Sequence, residues 1–370
     1  MSELLPAPPR SVVVLKLSAL GDVCHTLPVV RTLQRAWPQA HFTWIIGRAE
    51  AGFLERIQDI EFVEFDKRAG VAGYRAVRAA LRDRRIDLLL HMQFAWRASL
   101  VAATLRAPIK LGYDRERALD LQWLFTTDRI APAPHEHAMD ALFGFARRLG
   151  VEQREYRWDI PLPEDARQYA VRHIPDGKPA LIISPCSSHV LRNWHAAGYA
   201  AVGDHAAGNL GLRVLICGGR TALEQRMGAE IAACMRAPCT NLIGQDTLLE
   251  FYATLARARV LVTPDSGPAH MATSLGVPVV GLYAATNPAR SGPYFSRDLC
   301  VDRFDAAARR YLGKPAAELP WRTKIERPGV MNLIEPVDVI AQLEAALSRP
   351  HGLNQESRAV AVSGAAPSAR

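Results

Sequence analysis

Two short turns contain the residue types that could carry out chemistry. They are Leu17–Val23 (LSALGDV) and Thr263–His270 (TPDSGPAH). Each follows an apolar, β-branched run, Val12–Leu15 or Val260–Val262, and each leads into a helical pattern. Both turns are therefore predicted where a parallel strand ends and a helix begins, the edge at which α/β sheets bind ligands. One such turn in each half predicts a cleft enzyme that holds a phosphorylated donor in one half and an acceptor in the other.

Asp22 is the candidate catalytic residue of the first turn. Gly21 permits a tight turn, and Asp22 is predicted at or next to the N-cap of a helix that begins near His25. A cap that stabilises the helix by about 1 kcal/mol would by itself explain an aspartate here. In the functional interpretation, the helix N-terminus keeps the carboxylate ionised and available as a general base toward a hydroxyl. Both interpretations stay open.

The second turn has the residues expected of an anion-binding site. Gly267 lets the backbone approach a ligand, Pro268 suits the first helical position, and Ser266 with nearby N–H groups forms an anion nest. His270 falls in the first helical turn, within reach of a phosphate, and Asp265 precedes the nest. The alternative is a capped turn with a buried histidine.

Two further turns belong to the same predicted sheet edge. Ser187, Ser188 and Arg192 follow the strand 181–184, and hydroxyls followed by an arginine suit a pyrophosphate. Glu224 follows Gly218-Gly219 after another strand, where a carboxylate could hold a ribose hydroxyl pair. A solvated helix residue explains Glu224 equally well.

Motifs that are missing from the sequence exclude several classes. The first strand is not followed by GxGxxG, and the sequence contains neither GxxxxGK[ST] nor GxSxG, which argues against dehydrogenases, P-loop enzymes and serine hydrolases. The six cysteines are scattered, and no metal-ligand spacing occurs. We therefore expect neither a metal nor a cofactor.

The net charge of +8 has one local concentration. Seven basic residues between Lys67 and Arg85 face a single acid, Asp83. Such a run suits phosphate groups, an anionic membrane surface or nucleic acid, and a solvated helix face is the alternative. Because no apolar stretch is long enough to span a membrane, and Lys16 interrupts the apolar run near the N-terminus, we expect a cytoplasmic protein.

Alternating strands and helices predict an α/β protein with two Rossmann-like domains facing across a cleft. The predicted domains are residues 1–163 and 164–349, with a disordered tail at 350–370. A linker is expected at Pro161–Glu164, and the final helix is one that could cross back to the first domain. The predicted strands are Val12–Leu17, Phe42–Ile46, Glu61–Phe65, Leu88–His91, Lys110–Tyr113, Ala180–Ser184, Arg213–Cys217, Asn241–Ile243, Val260–Thr263 and Pro278–Tyr283. The predicted helices are His25–Trp37, Ala51–Ile57, Val71–Arg84, Trp96–Leu105, His137–Leu149, Ala196–Gly208, Thr221–Met235, Leu248–Arg257, Pro268–Leu275 and Pro336–Leu347.

Two segments resemble a known family. LKLSALGDVCHTLPVVRTLQRAWP and PDSGPAHMATSLGVPVVGLYAATNPARSGPY resemble the signatures of the ADP-heptose:lipopolysaccharide heptosyltransferases (glycosyltransferase family 9), closest to the first-heptose type. The resemblance extends over nearly all of Val12–Leu347. It implies a GT-B fold, with the acceptor in the N-terminal domain and the nucleotide sugar in the C-terminal one. It further implies an inverting single displacement without a bound metal, ADP-heptose as donor and Kdo of lipid A as acceptor. The expected partner surface is the anionic inner face of the inner membrane, with the enzyme peripheral there, and not nucleic acid.

Matched by position, the resemblance assigns roles to residues. Asp22 matches the catalytic base, the loop Asp265–His270 matches the segment that holds the diphosphate and sugar, and Glu224 resembles the ribose-binding acid. Ser187, Ser188 and Arg192 match the donor-phosphate loop, in which the family often has threonines and a lysine. The positions expected to bind the acceptor's acidic sugars and phosphates are Lys67, Arg68, Gln93, Arg97, Arg117 and His137.

One segment departs from the family, and it keeps alternatives open. Residues 290–320 are longer and more charged than expected for the first and second heptosyltransferases, so the donor sugar or the acceptor could differ. Transfer of another nucleotide sugar to a different glycan, or epimerisation without an acceptor, is the second hypothesis. A third is a non-catalytic protein that binds a nucleotide sugar or a membrane surface, in which Asp22 would be dispensable.

Overall fold

The computed structural model describes residues 4–349, and the predicted tail 350–370 lies outside the described residues. The chain divides into two compact units at Pro161 and Leu162. Each unit contains a six-stranded sheet in which every described strand pair is parallel. Because parallel sheets are covered by helices on both faces, their central strands are nearly continuous apolar runs, such as SVVVL at 11–15 and ALII at 180–183.

The sheet of the first unit has the strand order β3-β2-β1-β4-β5-β6. Val12 of the central strand pairs with Phe42 on one side and Leu88 on the other. The strands are β1 Ser11–Leu15, β2 His41–Gly47, β3 Glu61–Phe65, β4 Leu88–His91, β5 Ile109–Gly112 and β6 Asp128–Arg129. The helices are α1 Leu20–Ala36, α2 Arg48–Leu54, α3 Val71–Leu81, α4 Trp96–Thr104 and α5 Ala138–Arg148.

The sheet of the second unit has the order β12-β11-β10-β7-β8-β9, which repeats the topology of the first. Its strands are β7 Ala180–Ile183, β8 Arg213–Ile216, β9 Cys239–Asn241, β10 Val260–Pro264, β11 Val279–Tyr283 and β12 Val301–Asp302. Its helices are α6 Glu164–His173, α7 Ala196–Gly208, α8 Ala222–Cys234, α9 Leu248–Arg257, α10 Gly267–Leu275, α11 Pro288–Ser291, α12 Phe304–Leu312 and α13 Pro336–Leu347.

The last helix belongs to the core of the second unit. Val339, Leu343 and Ala346 of α13 are buried in the same apolar cluster as β7, β8 and β10. The segment 290–320, which departs from the family pattern, forms part of this unit. Within it, Phe304, Ala307 and Ala308 on α12 are buried in that cluster.

Each sheet has a topological switch point, where the connections that follow two neighbouring strands lie on opposite sides of the sheet. That point lies between β1 and β4 in the first unit and between β7 and β10 in the second. Ligands of open α/β sheets bind at this point, outside the carboxyl ends of the strands. The two turns that the sequence singles out follow β1 and β10, one at each of these points.

Candidate functional site

Asp22 lies on the first turn of α1, and its carboxylate is held by a buried lysine. The prediction that Asp22 caps a helix starting near His25 is wrong, because α1 begins at Leu20 after the N-cap residue Ala19. Lys16 Nζ donates to Asp22 Oδ2 at 2.8 Å. The Lys16 side chain is 3% exposed, whereas that of Asp22 is 46% exposed. The carboxylate is therefore fixed on one side by the cation and open to solvent on the other.

A pocket of about 420 Å³ adjoins the end of β1. Ser18 contributes to its wall, together with the predicted acceptor residues Lys67, Arg68 and Arg97. Glu50 also lines it; burial raises the pKa of this carboxyl above its ordinary value, and the charge of Lys67 opposes that rise. With Arg48, four cations from three segments meet in one concave site that also contains the acids Glu50 and Asp66, and the excess of positive charge suits carboxylates and phosphates.

Gln93 lies beside this pocket in the loop after β4. Its side-chain oxygen accepts a hydrogen bond from the Ser18 N–H at 3.4 Å. The fully buried Gln122 holds this loop in place. Its side-chain Nε2 donates to the carbonyl oxygens of His91 and Gln93, both at 2.8 Å. Burial, together with the charges of Lys110 and Lys16, lowers the pKa of His91 to about 3, so this imidazole stays neutral.

The other two predicted acceptor residues make structural contacts. Arg117 is mostly buried and forms ion pairs with Asp114 and Glu136. His137 is buried and caps α5, since its Nδ1 accepts from the Met139 N–H at 3.1 Å. The structure does not place either residue in the pocket wall.

In the second unit, the turns after β7 and β10 are joined by hydrogen bonds. Ser187 Oγ donates to the Asp265 carbonyl oxygen at 2.8 Å, and the Ser187 N–H donates to Asn193 Oδ1 at 2.7 Å. Ser266 is the N-cap residue of α10, and its hydroxyl lies 2.8 Å from the hydroxyl of Thr263. Two of the turns predicted to hold the donor therefore form one site at the switch point of this sheet.

Arg192 reaches this site but is already engaged by two carboxylates. Its Nε and Nη2 donate to Glu326 Oε1 at 2.9 and 2.7 Å, and its Nη1 lies 3.6 Å from Asp265 Oδ2. Burial acts to raise the pKa of Glu326, but the hydrogen bonds and charge of Arg192 lower it overall.

The remaining predicted donor residues occupy different environments. Gly267 and Pro268 are the first two residues of α10. Pro268 was predicted at the first helical position and lies at the second. His270, on the same helical turn, is buried. Ser188 is exposed. Glu224 closes the capping box of α8, in which its carboxylate accepts from the N–H groups of Gly219 and Thr221 and from the Thr221 hydroxyl.

Sequence reasoning missed two functional candidates, Lys16 and Glu326. In the sequence Lys16 stands out only as an interruption of an apolar run, although a lysine directly after a buried strand signals a buried partner. Glu326 is 134 residues from Arg192 along the chain, and no local pattern connects the two.

Comparisons with known proteins show the family to which the chain belongs. The model of glycosyltransferase family 9 (heptosyltransferase) matches residues 74–328. This chain belongs to glycosyltransferase family 9. Among its relatives, the lipopolysaccharide core heptosyltransferase OpsX of Haemophilus influenzae is 36% identical over 91% of this chain and 96% of its own length. Lipopolysaccharide heptosyltransferase 1 of Pseudomonas aeruginosa is 27% identical over 92% and 99%.

Solved structures share the fold. The family 9 glycosyl transferase of Veillonella parvula has a TM-score of 0.74 at 24% identity, covering 91% of this chain and 97% of its own. The E. coli heptosyltransferase WaaC with ADP has a TM-score of 0.70 at 20% identity, covering 91% and 99%. The predicted family and the GT-B fold class are confirmed, and the chain is a glycosyltransferase. Across residues 4–349, no helix has the length and apolarity to cross a membrane.

Proposed function

We propose that this family 9 enzyme transfers heptose from ADP-heptose to Kdo of the lipopolysaccharide inner core, with Asp22 as general base and inversion of the anomeric centre. The observation that carries the proposal is the Asp22 carboxylate itself. It lies half exposed at the switch point of the first sheet, paired with the buried Lys16 and close in sequence to the pocket-lining residue Ser18. The alternative that Asp22 serves only as a helix cap is excluded, since the N-cap residue of α1 is Ala19.

The proposed reaction is a single displacement. The acceptor hydroxyl gives its proton to the Asp22 carboxylate while its oxygen forms a bond to the anomeric carbon of the heptose. The bond between that carbon and the phosphate oxygen of the donor breaks, and ADP leaves with the electron pair. General-base help of this kind contributes about 10²- to 10⁴-fold in rate.

The second unit is proposed to hold the donor. Negative charge develops on the departing diphosphate, so a fixed cation and free N–H groups lower the barrier. Arg192 and the N-terminus of α10 at Ser266–Gly267 supply these groups. We propose that the diphosphate displaces Asp265 or Glu326 from Arg192, because the guanidinium otherwise faces two carboxylates. The WaaC structure with ADP supports the choice of nucleotide.

The first unit is proposed to hold the acceptor. Kdo carries a carboxylate, and the pocket provides cations for such groups, among them the predicted acceptor residues Lys67, Arg68 and Arg97. Gln93 is proposed to orient the acceptor near Ser18. Arg117 and His137, whose side chains serve ion pairs and a helix cap, are proposed to act on the acceptor only indirectly, by shaping this edge of the unit.

A transfer assay tests the proposal. Purified protein is incubated with ADP-heptose and Kdo-bearing lipid A, the product mass is measured, and its anomeric configuration is determined by NMR. We expect a mass increase of one heptose, with the configuration inverted relative to the donor. Donor consumption without an acceptor would indicate epimerisation, and binding without consumption would indicate a non-catalytic protein; either result would contradict the proposal. Binding of a different nucleotide sugar alone would overturn the donor assignment.

A further inference from the structure

We propose that Trp158 positions the general base Asp22 by replacing a hydrogen bond that Pro28 removes from α1. The proposal rests on the proposed function in one respect, because an effect on turnover requires Asp22 to be the base. The hydrogen bond and its effect on the helix follow from contacts and burial within the first unit. Trp158 acts on the reaction through α1, so it is a positioning residue.

Pro28 interrupts the hydrogen bonding of α1 close to Asp22. It lies inside the helix, which runs from Leu20 to Ala36. A helical residue at this position would donate its N–H to the carbonyl oxygen four residues earlier, that of Cys24. Proline has no N–H, and its ring crowds that same carbonyl group. Because Cys24 is buried, water is a poor substitute for the missing donor.

Trp158 supplies the missing hydrogen bond from outside the helix. Its indole Nε1–H donates to the Cys24 carbonyl oxygen at 2.5 Å, across 134 residues of sequence. The indole ring stacks beside Tyr156 with a centroid distance of 6.4 Å, and Tyr156 packs edge to face on Phe143 of α5. The indole is therefore held by aromatic contacts, and its hydrogen bond fixes the backbone of α1 at the fifth residue of the helix.

The segment 155–159, which contains this indole, is attached to α1 at two further points. The Glu155 N–H donates to Thr32 Oγ1 at 2.8 Å. Arg31 Nε and Nη2 donate to the two carboxylate oxygens of Asp159, both at 2.8 Å. These two contacts lie in the second half of α1, whereas the indole reaches the first half, which bears the proposed base. The segment therefore holds the helix along much of its length.

The position of the Asp22 carboxylate depends on the backbone of the first turns of α1. Lys16 holds one carboxylate oxygen, and Thr26 Oγ1 donates to the Asp22 carbonyl oxygen at 2.8 Å. Cys24 is two residues farther along, so a looser peptide group there disturbs the turn that carries the carboxylate. A general base must lie within hydrogen-bond reach of its proton, and a misplacement of about 1 Å costs up to about 10²-fold in rate. Loss of the indole N–H should therefore lower turnover through geometry and leave donor binding intact.

Removal of the indole N–H tests the proposal in the full chain. Trp158→Phe keeps an aromatic ring and removes the donor. Pro28→Ala restores a backbone N–H that can donate to the Cys24 carbonyl oxygen, so the double variant Pro28→Ala/Trp158→Phe tests rescue. Trp37→Phe, the same change at the C-cap of α1, is the matched control. The measurements are kcat for heptose transfer, the affinity for ADP-heptose, and hydrogen–deuterium exchange of the α1 amides, which needs no activity.

We expect Trp158→Phe to lower kcat by about three- to tenfold, as the loss of one hydrogen bond would, while ADP-heptose affinity is kept. Exchange of the amides in the first half of α1 should accelerate by a similar factor. In the double variant both quantities should lie within about twofold of those in Pro28→Ala, because the restored N–H makes the indole N–H redundant. The control should behave as wild type does.

Three results would overturn the proposal. They are unchanged exchange in Trp158→Phe, faster exchange with unchanged kcat, and a Trp158→Phe effect that is equally large in the Pro28→Ala background. The last result would show that the shape of the ring matters and its N–H does not. A wild-type protein that does not transfer heptose, with exchange responding as expected, would contradict the proposed function and leave the contact of Trp158 with α1 supported.

Discussion

The pairing of Lys16 with Asp22 predicts a coupled effect on stability. Lys16 Nζ is buried, and Asp22 is the carboxylate that pairs with it in the described chain. Asp22→Asn removes the negative charge and leaves a buried ammonium without its partner. Lys16→Met removes the cation and fills its space with an apolar side chain of similar length. The double variant Lys16→Met/Asp22→Asn removes both charges at once.

The size of the effect follows from the burial of each partner. Breaking a fully buried ion pair costs about 3–5 kcal/mol. Because Asp22 is 46% exposed, water reaches this pair, and we reduce the expected cost of Asp22→Asn to about 1–3 kcal/mol. For a unit of this size that loss lowers the Tm by roughly 3–9 °C. The double variant should return to within about 1 kcal/mol of wild type, because an apolar residue replaces the buried cation.

Thermal and urea unfolding of the four proteins measures this coupling as a double-mutant cycle. Asp83→Asn is the matched control, because Asp83 is 85% exposed and pairs with the neighbouring Arg82. We expect the control to unfold as wild type does. A coupling energy near zero, with Asp22→Asn as stable as the control, would refute the reasoning and show that Nζ is adequately hydrated without Asp22.

Three further predictions concern the second unit. Arg192→Ala should weaken ADP binding by about tenfold or more in calorimetry, because a charge-assisted hydrogen bond is lost, and Arg192→Lys should recover part of that loss; equal affinity in all three proteins would contradict the donor site. Burial raises the pKa of Asp246 in the folded protein from its ordinary value of 3.8 to about 7. At low pH the carboxyl is neutral in the folded and unfolded states alike, and its full contribution to stability is present. That contribution is lost as the pH rises through 7. Asp246→Asn should therefore raise the Tm little at pH 4 and progressively more up to pH 8; a constant difference would exclude this titration. Gly198→Ala should destabilise the protein by about 1–3 kcal/mol, since the added methyl would overlap the Trp194 ring, whereas Gly208→Ala, which meets open space, should not.

The sequence predicts helices and strands well where the spacing of apolar residues and the residues typical of helix ends agree. The bounds of α9 and α13 match the prediction, and both helices begin with a capping box. The start of α1 was missed because Ala19, whose methyl group cannot cap a helix, gives no signal there. The short strands β6 and β12 have two residues each, too few for any periodicity to register.

Part of the site was predictable from the family resemblance, whereas contacts that depend on tertiary packing were not. Lys67, Arg68 and Arg97 were named from the family pattern, and the structure brings them into one pocket. Arg117 resembled these arginines, but its ion pairs with Asp114 and Glu136 depend on tertiary packing. In the same way, the ion pair between Arg192 and Glu326 depends on the tertiary fold and could not be predicted from the sequence.

The turnover of Asp22→Asn with ADP-heptose and Kdo-bearing lipid A tests the central claim most directly. Measuring it in both the wild-type and the Lys16→Met background separates lost chemistry from lost stability. We predict that kcat falls by about 10²- to 10⁴-fold in both backgrounds while ADP-heptose affinity is kept. Turnover equal to that of the Asp22-containing parent, in a protein that remains folded, would contradict the assignment of Asp22 as the general base.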